Sequence, residues 1–307
     1  MSYEKITTRD VRGLILNRLA NPVILPWIGM FSMYATSDQA EEKYGWLGQS
    51  PMLREMIGGR SVKTLLENEL TIKNLDFEAT LGVFDKDMRR DKIGQIQIRI
   101  NDTFGKTDLH WGQLISALIN NGHQQVCYDG QYFYDTDHGE GLSGVQDNDL
   151  TFDVATVAKP TVAEFQDAVL KGVEALMGFK DDQGQPINED AMSFSVMVPT
   201  NYFGIASKAL SNPVTGGGDT NPLQNIPGAT FTPVVNPRLT AVATIFVNAT
   251  HGEIKPFIRQ EEVAPEPSIL TEGSDHFFNT REHLFGLYAS RNAGYGLWQK
   301  SVRIQLV

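Results

Sequence analysis

The sequence predicts an α+β chain, and three observations carry that class. Residues 161–178 hold the cleanest helical stripe, Val162, Phe165, Val169, Val173 and Leu176, behind a Thr161–Glu164 capping box. SFSVMVP, residues 193–199, is an apolar run of strand length. The short helical stretch TNYFGIASKALSN follows it, which implies a sheet covered by a helix. From about residue 254 onward the chain reads as a series of strands.

In chain order, residues 7–20 read as a helix with Val11, Leu14, Ile15 and Leu19 on one face and Thr7 with Asp10 at its start. NPVILPWIGMFSMYAT, residues 21–36, is apolar but interrupted by Pro22 and Pro26. It is expected to be an extended arm with exposed apolar surface unless something covers it. Residues 37–59 suggest a short helix, a turn at Gly48–Pro51 and a second short helix ending at Gly58-Gly59. Residues 60–91 favour β structure, with Leu70, Ile72, Leu75, Phe77, Ala79, Leu81, Val83 and Phe84 in the second half. A hairpin with a charged tip or base is expected there, leaning on another surface because a two-stranded ribbon is marginal alone. Residues 91–121 read as a long helix weakened by Gly94, Gly105 and Gly112, with a break expected near Gly105–Asp108 and Gly122 as its terminating C′ residue.

VCYDGQYFYDTDHGEGLSGVQDNDL, residues 126–150, reads as strand and loop. Residues 213–228 have no apolar rhythm and are expected to be a loop. Two strands follow in ATFTPVVNP and LTAVATIFVN. IKPFIRQEEV and the stretch from Asp275 to Val307 are read as strands, joined by a proline-broken turn in EEVAPEPSILTEGSD. Within that last stretch, RNAGYGLWQ places Ala293, Tyr295 and Leu297 on one strand face and Gly294, Gly296 and Trp298 on the other. The two glycines leave a flat notch where a helix or a neighbouring chain can approach the backbone. With the preceding HLFGLYA it forms either a hairpin around Ser290–Asn292 or one long strand bent by a bulge there.

The composition narrows the function. The 307 residues suffice for one large domain or two closely joined ones. A net charge of −11 removes any global pull toward nucleic acid or an anionic membrane. The single cysteine, Cys127, excludes an intrachain disulfide and reads as a buried structural thiol. The charged start and the lack of a long apolar run predict a soluble, cytoplasmic product with no membrane partner.

Catalytic patterns find little support. Gly294-x-Gly296 lacks the third glycine and the following helix of a dinucleotide fingerprint, and TGGGDT lacks the Gly-Lys-Ser/Thr of a phosphate loop. No GxSxG or HExxH is present, and Ser193 and Ser195 have no elbow glycines. DTDHGEG is the best candidate. Asp135, Asp137, His138 and Glu140 are metal-ligand types, but they match no ligand spacing, and turn capping by the aspartates explains them more simply. No cofactor and no enzymatic activity are expected.

YGWLGQSPMLREMIGGR, TIKNLDFEATLGV, CYDGQYFYDTDH, KDDQGQP and RNAGYGLWQ, in this order, resemble the major head subunit of Mu-like bacteriophages over about residues 44–300. The resemblance implies the HK97-type capsid fold of tailed phages. By it, residues 1–57 are the N-terminal arm and 58–91 the extended loop. Residues 92–125 and 254–307 are the peripheral domain with its spine helix, and 126–253 the axial domain. It implies hexamers and pentamers forming an icosahedral head around double-stranded DNA contacted non-specifically, with scaffold, portal and decoration proteins as partners. The product would end in the virion after assembly in the host cytoplasm.

No residue-level match to lysine–asparagine cross-linking is seen at Lys63 or Lys73, so noncovalent assembly is expected. Trp27, Lys73, Phe77, Arg89, Arg90, Gly294, Gly296 and Trp298 are the expected inter-subunit packing residues. Gly296→Val should accordingly block assembly more than folding. Two rivals remain: an encapsulin-like cellular nanocompartment, and a metal-dependent hydrolase built on Asp135, Asp137 and His138.

Overall fold

The computed structural model describes residues 8–45, 70–90, 94–214, 218 and 220–307. The expectations for Thr7, for the turn and second helix near 48–59, for Lys63, for residues 91–93 and for part of the 213–228 loop lie outside these residues. Eight α-helices and eleven strands are described. In chain order they begin with α1 (Thr8–Ala20), α2 (Pro26–Phe31), β1 (Ser32–Thr36), β2 (Glu41–Tyr44), β3 (Leu70–Lys73) and β4 (Leu75–Phe84). Next come α3 (Asp85–Arg90), α4 (Gln95–Gly105), α5 (His110–Asn121), β5 (Asp149–Phe152), α6 (Val162–Gly178), β6 (Ser193–Val198) and α7 (Phe203–Ser211). The series closes with β7 (Thr230–Val235), β8 (Thr244–Ala249), β9 (Phe257–Leu270), α8 (Asp275–Thr280), β10 (Glu282–Tyr295) and β11 (Ser301–Leu306).

Two sheets organise the chain. One has the order β1-β9-β10-β4, the other β5-β11-β8-β6-β7, and β2 pairs with β3 alone. The five-stranded sheet is covered by α6 and α7. Phe165, Val169, Val173 and Leu176 of α6 are all buried, as the helical stripe requires. The capping box is present: Thr161 accepts from the Glu164 amide, and Glu164 accepts from the Thr161 amide. Thr161→Ala is expected to lower stability by about 1 kcal/mol, read as a shift in the urea midpoint. An unchanged midpoint would mean that the helix is held by packing alone.

Around the four-stranded sheet, Val11 and Ile15 of α1, Met88 of α3, Ile100 and Phe104 of α4, and Phe285 and Leu287 of β10 form a small separate core. The expected long helix is two helices, α4 and α5, broken at Lys106–Leu109. Asp108 makes an ion pair with Arg18 and accepts from the Val23 amide, so the break ties down the start of the 21–36 segment.

Several expectations are corrected. The 21–36 segment is not an extended arm: Pro26 sits at the first turn of α2, where a missing N–H costs nothing. Trp27, Ile28 and Phe31 are buried against α5, while Val23 and Ile24 remain exposed. Residues 41–44 form a strand rather than a helix because EEKY pairs with Leu70–Lys73. β3 and β4 do not pair with each other: β4 lies along β10 through ten register pairs, from Leu75 to Phe84, while residues 60–69 of the expected hairpin lie outside the described residues.

The proline-rich 261–270 stretch is strand, not turn. β1 pairs with β9 only as far as Glu261, so beyond it, among the described residues, Pro265 and Pro267 lie on an edge where proline is tolerated. DHFFNT is helix α8, with Ser274 as N-cap accepting from the Phe277 amide. HLFGLYASRNAGY is one long strand. Its pairing with β9 shifts register around Ser290, which is the bulged alternative. Gly122 keeps right-handed backbone, φ −60°, so it is not a left-handed C′ residue. A side chain there would collide with the Tyr134 ring. The final strand, β11, pairs in the five-stranded sheet between β5 and β8, apart from the rest of the 254–307 stretch.

Candidate functional site

The two sheets meet at residues 294–298. β10 ends at Tyr295, and Trp298 begins a short 3₁₀ turn rather than continuing the strand. Within the chain the glycine notch faces β3 and the 255–256 backbone rather than a helix. A Cβ on Gly294 would overlap the Ile72 side chain of β3. On Gly296 it would overlap the Lys255 carbonyl oxygen and lie 3.2 Å from the Pro256 carbonyl, while the Gly296 amide donates to Pro256 O at 2.7 Å.

Trp298 is 0% exposed. Its ring stacks on His138 at 3.9 Å and meets Phe179 edge-on at 5.2 Å. His138 donates through Nδ1 to Asp129 Oδ2 at 2.6 Å, and the Cys127 thiol donates to Asp129 Oδ1 at 2.9 Å. Burial and the Asp129 charge push the Cys127 thiol up, so it is a structural group rather than a nucleophile. Burial and the neighbouring Asp129 push Glu140 up to about 7.

DTDHGEG therefore does not assemble as a hydrolase would need. His138 turns inward to Asp129, Asp137 is exposed, and Asp135 caps the turn by accepting from the amides of Tyr132 and Thr136. The hydrolase reading built on Asp135, Asp137 and His138 is withdrawn on that geometry. Sequence reasoning missed Asp129, which is the partner that matters; its place two residues after Cys127 carried no motif.

Arg291, also missed, organises the break between α4 and α5. It is 3% exposed. Its guanidinium donates to Thr107 O at 3.2 Å and to His110 Nδ1 at 3.1 Å, pairs with Glu261 at 3.4 Å, and lies 4.8 Å from the Trp111 ring centre. Phe77 packs edge-on against His110 at 4.3 Å. Burial, then the charges of Arg291 and Arg238, push the His110 imidazole down to about 4. The folded state thus favours neutral His110, and its contribution to stability is present above pH 6.5 and lost as pH falls toward 4. His110→Gln is expected to flatten the stability–pH curve in that window. Parallel curves for both proteins would exclude the coupling.

The remaining expected packing residues are dispersed. Trp27 is buried inside the chain. Lys73 is exposed, and its carbonyl accepts from the Asn292 side chain at 2.7 Å. Arg89 and Arg90 are exposed on α3, with Arg89 paired to Asp85 at 2.8 Å. A hollow between the four-stranded sheet and the break between α4 and α5 is lined by Phe77, Ala79, Thr107, His110 and Leu287 among others. Among the described residues, no helix is long and apolar enough to cross a membrane.

Residues 25–160 and 230–306 match the sequence family described as the Mu-like prophage major head subunit gpT. The chain belongs to this family. The major capsid protein of Escherichia phage Mu is 24% identical over 276 residues, which is 89% of this chain and 65% of that protein, so the head-subunit chain spans less than two thirds of that relative's length.

Among solved structures, the procapsid of bacteriophage JBD30 is similar at a TM-score of 0.56 and 22% identity, covering 96% of this chain and 72% of that one. The mature capsid of bacteriophage PhiM1 is similar at 0.57 and 10% identity, covering 94% and 89%. This Mu-like head subunit has the HK97-type α+β capsid fold, and its family is structural rather than enzymatic. The nanocompartment alternative is not favoured, because the sequence family is that of phage heads.

Proposed function

We propose that this chain is the major capsid protein of a tailed, Mu-like phage. It self-assembles as hexamers and pentamers into an icosahedral head enclosing double-stranded DNA. The match to the Mu-like head subunit family carries the reading, and the likeness to phage capsids across nearly the whole chain supports it.

In this reading residues 1–57 are the arm and 58–91 the extended loop. The peripheral domain comprises 92–125 and the β9–β10 region, and the axial domain comprises 126–253 joined by β11. Exposed Lys73, Arg89 and Arg90 and the hollow beside Phe77 are surfaces offered to neighbouring copies. Contacts are noncovalent and individually weak, and many per subunit give a stable shell. Scaffold, portal and decoration proteins are the further partners. The net charge of −11 suits a wall that holds DNA without gripping it. Assembly takes place in the host cytoplasm and the product resides in the phage head.

Negative-stain electron microscopy of the chain, alone and coexpressed with its phage neighbours, tests this. Closed shells or free hexamers and pentamers are expected. Uniform monomers or dimers under both conditions would sink the proposal.

A further inference from the structure

At the far end of the four-stranded sheet, away from the 294–298 junction, three ligand-type side chains converge from separate elements. Asp85 opens α3, Glu272 lies in the turn between β9 and α8, and His283 is the second residue of β10. One donor atom from each lies within 4.8 Å of the other two. Ordinary hydrogen bonding does not account for the imidazole. His283 is 1% exposed, its Nδ1 has no hydrogen-bond partner among the described residues, and its Nε2 faces Asp85 Oδ1 at 3.7 Å. That is too long for a hydrogen bond, but close to the spacing of two atoms bound to one ion at about 2.0–2.2 Å each.

The contrast with the other His-containing group is direct. Asp129 there accepts from His138 Nδ1 at 2.6 Å and from the Cys127 thiol at 2.9 Å, so hydrogen bonds already explain how the three meet, and only His138 Nε2 has no partner among the described residues. Around His283 the aromatic rings of Phe277, at 4.7 Å, and Phe285, at 6.4 Å, fix the imidazole plane and give Nδ1 no polar neighbour. A buried imidazole held in place with a nitrogen turned toward carboxylate is a preorganised ligand.

We propose that Asp85, Glu272 and His283 bind a divalent transition-metal cation, with Zn²⁺ the ion whose donor preference fits best. One imidazole and two carboxylates supply three ligands, and Glu272 is exposed, leaving a fourth position open to water. The ion would pin the start of α3, the turn after β9 and the start of β10 together. Two contacts compete. Arg89 donates to Asp85 Oδ1 at 2.9 Å and pairs with Oδ2 at 2.8 Å, and Thr8 donates to Glu272 at 3.4 Å. The Arg89 side chain is 69% exposed, so it can leave the carboxylate without opening the core.

Chelator-treated full-length chain titrated with Zn²⁺ by calorimetry, and with Co²⁺ by its visible absorption, tests the site. One ion per chain is expected, with a rise in melting temperature on loading. Glu272→Gln, an exposed change that leaves the core intact, is expected to weaken binding by roughly tenfold or more, and His283→Gln by about a hundredfold. Arg89→Ala should bind at least as tightly as the parent. Absence of stoichiometric binding, or undiminished binding in Glu272→Gln, would overturn the proposal. So would loss of binding in Cys127→Ser, which would place the ion at Asp129 instead.

Discussion

Gly296→Val is expected to leave little or no folded chain, and not merely to block assembly. The residue sits where β10 hands over to the five-stranded sheet, and its missing side chain is replaced by the Lys255 and Pro256 carbonyls. Those atoms are backbone, and Pro256 O already accepts from the Gly296 amide at 2.7 Å, so neither can yield. Overpacking of this kind costs about 1–3 kcal/mol where neighbours can adjust, and more where they cannot. The measurement is soluble yield and the thermal unfolding midpoint of the purified variant. Gly294→Ala is the informative companion: its obstacle is the Ile72 side chain, which can turn aside, so a smaller loss is expected. A Gly296→Val chain that melts like the parent but forms no shells would restore an inter-subunit role for the notch.

Trp298→Ala is expected to cost about 3–5 kcal/mol, since a fully buried indole leaves a cavity that stacked rings cannot collapse into. His138 would lose its stacking partner and Phe179 its edge contact in the same step. Trp298→Phe should cost much less. It keeps apolar bulk and removes an indole N–H that has no hydrogen-bond partner among the described residues. Urea unfolding followed by circular dichroism gives both values. Equal losses for the two variants would mean that the ring's size, rather than its burial among aromatics, decides the site.

What the sequence could reveal was what neighbouring residues decide among themselves. The Thr161–Glu164 cap, the α6 stripe and the break after Gly105 are local events, and each is present where the pattern put it. The resemblance carried the capsid fold and the family. What failed depends on partners far away in the chain. EEKY becomes strand only because Leu70–Lys73 lies beside it, and prolines at 265 and 267 are tolerated only because the strand is an edge there. The glycine notch was legible as a place of close approach, but not its occupant, because Ile72 and Lys255 are distant in sequence. Arg291 stood inside the most closely read stretch and was passed over; a charged residue among Ala, Gly and aromatics was the available signal. Ser274 before DHFF was a usable cap signal for α8 that strand periodicity obscured.

The place of β11 sets an order of events in the cell. It pairs on one side with β5 and on the other with β8, and both are translated before it. Until residues 301–306 leave the ribosome, β5 has no partner in that sheet, and β8-β6-β7 stands with an open edge. β1 likewise waits for β9, more than two hundred residues downstream. Folding of this head subunit is thus tied to synthesis of residues 257–306, and chains that lack them have unpaired strands in both sheets. Contacts this distant in sequence also close slowly. A nascent chain without these strands lacks the finished sheets and is exposed for the same interval to chaperones that bind unpaired strands.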